Sequence, residues 1–198
     1  MIKLSHVAAA VFSLACVAAF AQTNTAETVQ RDVNQQTRIE QGLQSGSLNT
    51  REAARLEKEQ AQVDRLQAKS LKDGKLSAAE RARLDAAQDK SSRDIYAAKH
   101  NGVSGNPGSA SSQRMQADVQ RNINQDKRIE AGVQNGSLNN REVAKLERGQ
   151  AKVSRKEAVA GRDGHVSAAE QQRVQATENR QSKRIFKQKH DAQVRNPA

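Results

Sequence analysis

An internal repeat of fixed period constrains the fold of this chain more than any other feature of its sequence. Residues 29–101 (repeat 1) align without a gap with residues 119–191 (repeat 2) at an offset of 90, and 36 of the 73 aligned positions are identical. A repeat of this length indicates one supersecondary unit that is present twice. An interpretation of either repeat can therefore be tested against the other.

Each repeat is predicted to form three helices, because the sequence lacks strand signals and is rich in good helix formers. Glycines divide the repeats, at Gly46 and Gly74 in the first and at Gly136 and Gly164 in the second. Each glycine precedes a pair with the spacing of a helix capping box. The pairs are Asn49 with Glu52, Ser77 with Glu80, Asn139 with Glu142, and Ser167 with Glu170. The predicted fold class is all-α, a tandem duplication of a three-helix unit with EF-hand-like helix–loop–helix junctions.

The predicted core is thin. Repeat 1 has 13 large apolar side chains in 73 residues, and they recur at helical spacing. The predicted buried positions are Val29, Val33, Ile39 and Leu43 in the first helix, Leu56, Val63 and Leu66 in the second, and Leu84 and Ile95 in the third. Because small units bury a small fraction of their surface, a partly disordered or partner-stabilised chain is the alternative.

The N-terminus predicts export. Lys3 precedes an apolar run from Val7 to Phe20, and Ala19-Phe20-Ala21 fits the small-x-small rule for cleavage. The run is too short to span a membrane, so residues 1–21 are predicted to be a signal peptide. Lipidation at Cys16, the only cysteine, is the alternative. The expected location is periplasmic or secreted, with no transmembrane segment after cleavage.

The rest of the chain is predicted to comprise two helical repeats and the segments around them. Helical repeat 1 covers residues 22–101 and helical repeat 2 covers 113–191, followed by a tail at 192–198. Residues 102–112 are rich in Gly and Ser and predict a flexible linker. The repeats should therefore be separate units, or docked units with a loose tether.

The segment from Asp73 to Glu80 looks like the second half of an EF-hand calcium loop, and Asp163 to Glu170 repeats it. The carboxylate that should open the loop is absent, since Lys69 and Val159 occupy that position. Helix capping explains the glycine and the glutamate without a metal, although a degenerate EF-hand module that binds calcium or another metal is the alternative. No metal ligands, cofactor or catalytic residues are predicted, and the chain is not expected to be an enzyme.

The sharpest functional feature is a basic face on the last helix of repeat 2. Its residues, predicted to bind an anionic partner, are Arg180, Lys183, Arg184 and Lys187. In repeat 1 the positions of Arg184 and Lys187 are occupied by Asp94 and Ala97. Leu66 and Leu71 of repeat 1 are replaced by Lys156 and Gly161, so repeat 2 is predicted to pack more poorly. In a chain of net charge +11, this face predicts an anionic envelope component or an acidic protein as the partner. Nucleic acid is disfavoured by export and by the lack of aromatic residues for base stacking.

The layout resembles small exported bacterial helical-repeat proteins of unknown function with degenerate EF-hand-like loops. The shared motifs are Gly-x-Leu-x-x-x-Glu, Asp-Gly-x-Leu-Ser-x-x-Glu and Ile-Tyr-x-x-Lys-His, here Gly46 to Glu52, Asp73 to Glu80 and Ile95 to His100. The resemblance covers nearly the whole mature chain. It implies a periplasmic or secreted helical protein and no known activity.

Overall fold

The computed structural model describes the backbone of residues 13–191 and the side chains of residues 25–191. The first twelve residues of the predicted signal peptide and the predicted tail at 192–198 lie outside the described residues. The described part contains six helices and no strand, so the all-α class is confirmed. No helix in this part is long and apolar enough to cross a membrane. The helices are α1 (Ser13–Ser45), α2 (Thr50–Ser70), α3 (Ala78–Lys99), α4 (Ala110–Gln134), α5 (Asn140–Ala160) and α6 (Ala168–Lys189).

The bounds of α2 and α3 recur 90 residues later in α5 and α6, and all four helices begin at their predicted capping pairs. At the start of α2, the Asn49 side chain accepts a hydrogen bond from the Glu52 N–H at 2.9 Å. The Glu52 carboxylate accepts one from the Asn49 N–H at 3.1 Å. Gly46, which precedes this box, has a φ of +77°, a left-handed conformation that favours glycine and ends α1. That one unit was duplicated stays an interpretation of the sequence.

Two antiparallel helix pairs form the centre of the molecule, α2 with α5 and α1 with α4. At one end of the first pair, Arg51 donates to the Asp163 carbonyl oxygen at 2.7 Å. At the other end, Arg141 donates to the Asp73 carbonyl oxygen at 3.2 Å. Helix α3 packs on α1 and α2, and α6 packs on α4 and α5. The repeats are therefore docked along the full length of α2 and α5.

Both apolar clusters of the core draw on both repeats. The first cluster takes six of its 15 residues from repeat 2 and the segment before it, namely Met115, Val119, Ile123, Ala160, Val166 and Val174. The second takes only Val29 and Leu71 of its nine residues from repeat 1. All the predicted core positions except Leu66 are buried. Neither repeat encloses an apolar core of its own.

The expectation that repeat 2 packs more poorly is not supported at either substituted position. Leu66 is only partly buried, so its replacement by Lys156 removes little apolar packing. Gly161 lies against the first turn of α2, and a Cβ atom added there would be 2.9 Å from the Ala54 Cβ. The small residue at position 161 therefore permits close contact between α2 and α5 at this end.

The link between the repeats packs against the α1–α2 hairpin, unlike the flexible tether that its composition predicts. Helix α4 begins at Ala110, inside the predicted linker, and Ser109 caps it. The Gly105 N–H donates to the Gly46 carbonyl oxygen at 2.8 Å. A Cβ atom on Gly105 would lie 2.4 Å from the Leu48 carbonyl oxygen. The backbone atoms of Leu48 and Asn49 thus leave no room for a side chain at position 105.

This packing predicts a large difference between two glycines of the link. Gly105→Ala should lower the free energy of unfolding by about 2–3 kcal/mol, because a fixed backbone must move to admit the methyl group. Gly108→Ala is the matched control, since its Cβ would meet only the Asn106 Oδ1 at 3.6 Å. Urea denaturation of the two variants measures the difference. Equal stabilities would show that the link is the loose tether expected from its composition.

Candidate functional site

The four predicted anion-binding residues are all exposed on α6. Arg184 and Lys187 lie at the edge of a cleft of about 300 Å³ between α5 and α6. Arg180 and Lys183 do not line this cleft. From α5 the cleft receives three further cations, Lys145, Arg148 and Lys152, and its lining includes no carboxylate. The basic face of α6 is therefore one wall of a cationic cleft.

A larger basic surface lies on the outer faces of α2 and α5. Thirteen exposed Lys and Arg side chains lie on these two helices or in the turns directly after them. We call this surface the basic platform. Its residues are Arg51, Arg55, Lys58, Arg65, Lys69 and Lys72 from α2 and its following turn, and Arg141, Lys145, Arg148, Lys152, Arg155, Lys156 and Arg162 from α5 and its following turn.

The basic platform is not neutralised by neighbouring acids. Every Asp and Glu of α2 and α5 is buried or partly buried, and the exposed acids beside the platform are Asp73 and Asp163 in the turns after the two helices. Among the described residues, no carboxylate forms an ion pair with any of the 13 cations. The two rows of cations converge on a groove of about 410 Å³, where Arg51, Arg55 and Lys58 of α2 face Arg155 and Arg162 from the α5 side.

The two edges of the platform differ in charge. On the repeat 1 edge, Lys90 lies 3.9 Å from Glu59 and also pairs with Asp94. In repeat 2 the positions of these two acids are occupied by Gly149 and Arg184. The Gln181 side chain fills the space beside Gly149 and donates to the Leu146 carbonyl oxygen at 2.9 Å. Only the repeat 2 edge therefore continues the positive surface onto the third helix of its repeat.

The sequence contains a signal for the platform that the analysis of α6 alone does not find. The cations of α2 fall at 51, 55, 58, 65, 69 and 72, and those of α5 follow almost the same spacing from 141. Intervals of three, four and seven residues place side chains on one face of a helix. A helical wheel of these two segments would have located the surface.

A buried polar layer lies on the inner faces of the same two helices. Within each repeat one hydrogen bond joins two of its helices, from Gln36 to Glu57 at 3.0 Å and from Asn122 to Glu157 at 3.1 Å. Between the repeats, the Ser154 hydroxyl donates to Asp64 at 3.3 Å. The residues of the layer, all buried, are Asp32 and Gln36 of α1, Glu57, Gln60, Asp64 and Gln67 of α2, Asn122 and Asp126 of α4, and Glu147, Gln150, Ser154 and Glu157 of α5. The repeats thus meet through polar as well as apolar side chains.

Burial dominates the electrostatics of this layer. Loss of hydration raises the pKa of Asp32 and of Glu57 to about 7. The same cause, followed by repulsion from neighbouring carboxylates, holds the pKa of Asp64 well above its ordinary range. The sequence does not reveal the layer because its residues come from four helices and form no motif of short spacing.

A second pair of buried acids lies between α4 and α6. Burial raises the pKa of Asp118 to about 7, and burial followed by repulsion from Asp118 raises the pKa of Glu178 to about 8. The Arg121 Nε lies 3.0 Å from the Glu178 Oε2 and partly offsets the rise. In repeat 1 the corresponding residues, Thr28 and Gln88, carry no charge.

The EF-hand-like loops use their glutamates as helix caps. The Glu80 Oε2 accepts from the Ser77 N–H at 3.1 Å and from its hydroxyl at 2.6 Å. Glu170 makes the same two bonds with Ser167. Hydrogen bonds from Ser167 lower the pKa of Glu170, as expected for a carboxylate at a helix N-terminus. These contacts agree with the capping interpretation of the motif.

No protein-family model, curated protein or solved structure matches this chain.

Proposed function

We propose that this is an exported, non-enzymatic protein that binds an anionic surface of the cell envelope through the basic platform. The observation that carries the proposal is the set of 13 exposed cations on two adjacent antiparallel helices and the turns after them, where the helices expose no acid and each turn exposes one, Asp73 or Asp163. Export rests on the signal-peptide pattern of residues 1–21, and it favours a periplasmic or secreted location. Removal of these residues would shorten α1 and leave the platform unchanged.

The shape of the platform fits a flat partner. Helices of 21 residues are about 30 Å long, and two lying side by side present a broad, nearly planar array of charges. Each Lys or Arg close to an anionic lipid surface contributes roughly 1 kcal/mol at physiological salt. Only part of the array needs to touch such a surface to give stable binding. The cleft between α5 and α6 extends the contact on the repeat 2 side.

The difference between the platform edges gives a test in which the chain supplies its own control. Arg184→Asp with Lys187→Ala gives repeat 2 the residues of repeat 1 and should weaken binding to phosphatidylglycerol vesicles at least tenfold. The reciprocal variant, Asp94→Arg with Ala97→Lys, should strengthen binding, because it adds charge to the other edge. All four positions are on α3 or α6 and outside the apolar clusters. Vesicle co-sedimentation of the full mature chain measures both effects.

Unchanged binding in both variants would show that α3 and α6, the third helices of the two repeats, do not take part in the contact. The proposal would be contradicted if these variants and a further variant, with Lys58, Arg148 and Lys152 changed to Glu, all bound the vesicles without any loss of affinity. Equal binding to vesicles of neutral phosphatidylcholine would also contradict it, since the proposed contact is electrostatic. Circular dichroism of each variant confirms that the helices are intact.

A further inference from the structure

Three carboxylates from three helices converge inside the polar layer. Asp32 of α1, Asp64 of α2 and Glu147 of α5 each place one oxygen within 4.8 Å of the other two. All three residues are at least 95 % buried. Asp126 of α4 lies near enough that its charge raises the pKa of both Asp64 and Glu147. No described Lys, Arg or His forms an ion pair with any of the four.

The cluster also has polar atoms without a hydrogen-bond partner. The fully buried amide of Gln67 faces Asp32, yet neither its nitrogen nor its oxygen has a partner of normal geometry. One oxygen of Asp32 and one of Glu147 are also unpaired. Buried polar groups are nearly always hydrogen-bonded, and an unpaired one costs about 1–3 kcal/mol. Several such atoms around one point indicate that a further ligand satisfies them.

We infer that Asp32, Asp64 and Glu147, assisted by the Gln67 side-chain amide, bind one hard divalent cation of the calcium, magnesium or manganese class in the centre of the bundle. An all-oxygen set without nitrogen or sulfur favours these ions over zinc or copper. The spacing also fits: two oxygens on opposite sides of a calcium ion, each at about 2.4 Å, are about 4.8 Å apart. The ion would join α1 and α2 of repeat 1 to α5 of repeat 2.

This inference is independent of the proposed binding of an anionic surface. The cation site lies on the inner face of α2 and α5, whereas the basic platform lies on the outer face. It also differs from the EF-hand-like loops, whose Glu80 and Glu170 serve as caps. Loss of vesicle binding would therefore leave the cation site untouched.

The test uses the full mature chain, unfolded and refolded with EDTA or with excess Mn²⁺, because the site is buried. Electron paramagnetic resonance of free Mn²⁺ should show about one ion bound per chain, and Ca²⁺ and Mg²⁺ should be assayed as competitors. Thermal unfolding should shift to higher temperature with the bound ion. Asp32→Asn, which places the residue of repeat 2 at this position, and Asp64→Asn should each weaken Mn²⁺ binding at least tenfold. Asp118→Asn, which alters a buried acid outside the cluster, should bind normally.

Failure of the wild-type chain to bind Mn²⁺ and to gain thermal stability from Mn²⁺, Ca²⁺ or Mg²⁺ would overturn the inference. Normal Mn²⁺ binding by both Asp32→Asn and Asp64→Asn would also overturn it, by placing the ion elsewhere. If a variant does not refold, the amount of Mn²⁺ bound by the refolded wild type is sufficient by itself to test the inference. With EDTA, the two variants should be at least as stable as the wild type, because each removes a buried carboxyl that must either stay charged without a partner or take up a proton on folding.

Discussion

Residues 22–104 expressed alone are expected to be largely unfolded as a monomer. In the full chain α2 packs along α5, and the buried acids Glu57 and Asp64 lie beside Glu157 and Ser154 of α5. Separation exposes this face and removes the repeat 2 residues from the first apolar cluster. The loss is expected to exceed the 5–15 kcal/mol by which folded domains are typically stable. Far-UV circular dichroism with analytical ultracentrifugation measures helix content and association together.

The control for this fragment is the chain from residue 22 to 191, which should unfold in one cooperative transition. The fragment covering residues 105–191 should also lack stable structure, because the second apolar cluster needs Val29 and Leu71. A monomeric repeat 1 fragment with most of the helix content expected from α1–α3 would show that the repeats fold separately. Helix content that rises with fragment concentration would instead indicate pairing of two copies in the place of the missing repeat.

The protein is expected to be more stable at pH 5 than at pH 8, the reverse of an ordinary chain rich in surface carboxylates. Burial raises the pKa of Glu178 from 4.5 to about 8. Between these values the folded chain holds a proton that the unfolded chain releases, so stability falls as pH rises. At about 1.4 kcal/mol per pH unit, the three units from pH 5 to pH 8 set an upper limit of about 4 kcal/mol, and we expect about 2–4 kcal/mol. Chemical denaturation at both pH values tests this.

Glu178→Gln identifies the contribution of this residue, because Gln88 is the natural occupant of the same position in repeat 1. Gln88 donates to the Thr28 carbonyl oxygen at 2.9 Å, which shows that an amide fits such a site. The variant should be more stable than the wild type at pH 8 and nearly equal to it at pH 5. A wild-type stability that rises between pH 5 and pH 8, or a variant with no gain at pH 8, would contradict this account.

Features set by short-range chemistry were predictable from the sequence. The helix starts at Asn49 and Ser77 follow from a cap and a glutamate three residues apart, and both capping boxes are present. The buried stripe of Val29, Ile39 and Leu43 follows from helical periodicity. Likewise, the exposure of Arg184 and Lys187 on α6 follows from their position opposite Ile185, which is buried.

Features that depend on how the repeats meet were not predictable in the same way. A count of large apolar side chains suggested marginal or partner-stabilised units, because it leaves out buried polar residues such as Glu57, Asp64 and Glu147. They face the other repeat, and the basic residues at the intervening positions take the solvent side. The composition of the link suggested flexibility, whereas the packing of Gly105 depends on Leu48, which is distant in sequence. Such long-range contacts leave no periodic signal in a single repeat.

The central claim, that the basic platform binds an anionic surface, is tested most directly by the salt dependence of vesicle binding by the full mature chain. Co-sedimentation with phosphatidylglycerol vesicles should be tight at 0.01 M salt, where the screening length is about 30 Å, and should weaken at least a hundredfold by 0.5 M. The Arg184→Asp and Lys187→Ala double variant should show a shallower dependence, because fewer charges take part. Binding that is indifferent to salt, or absent at 0.01 M, would contradict the claim.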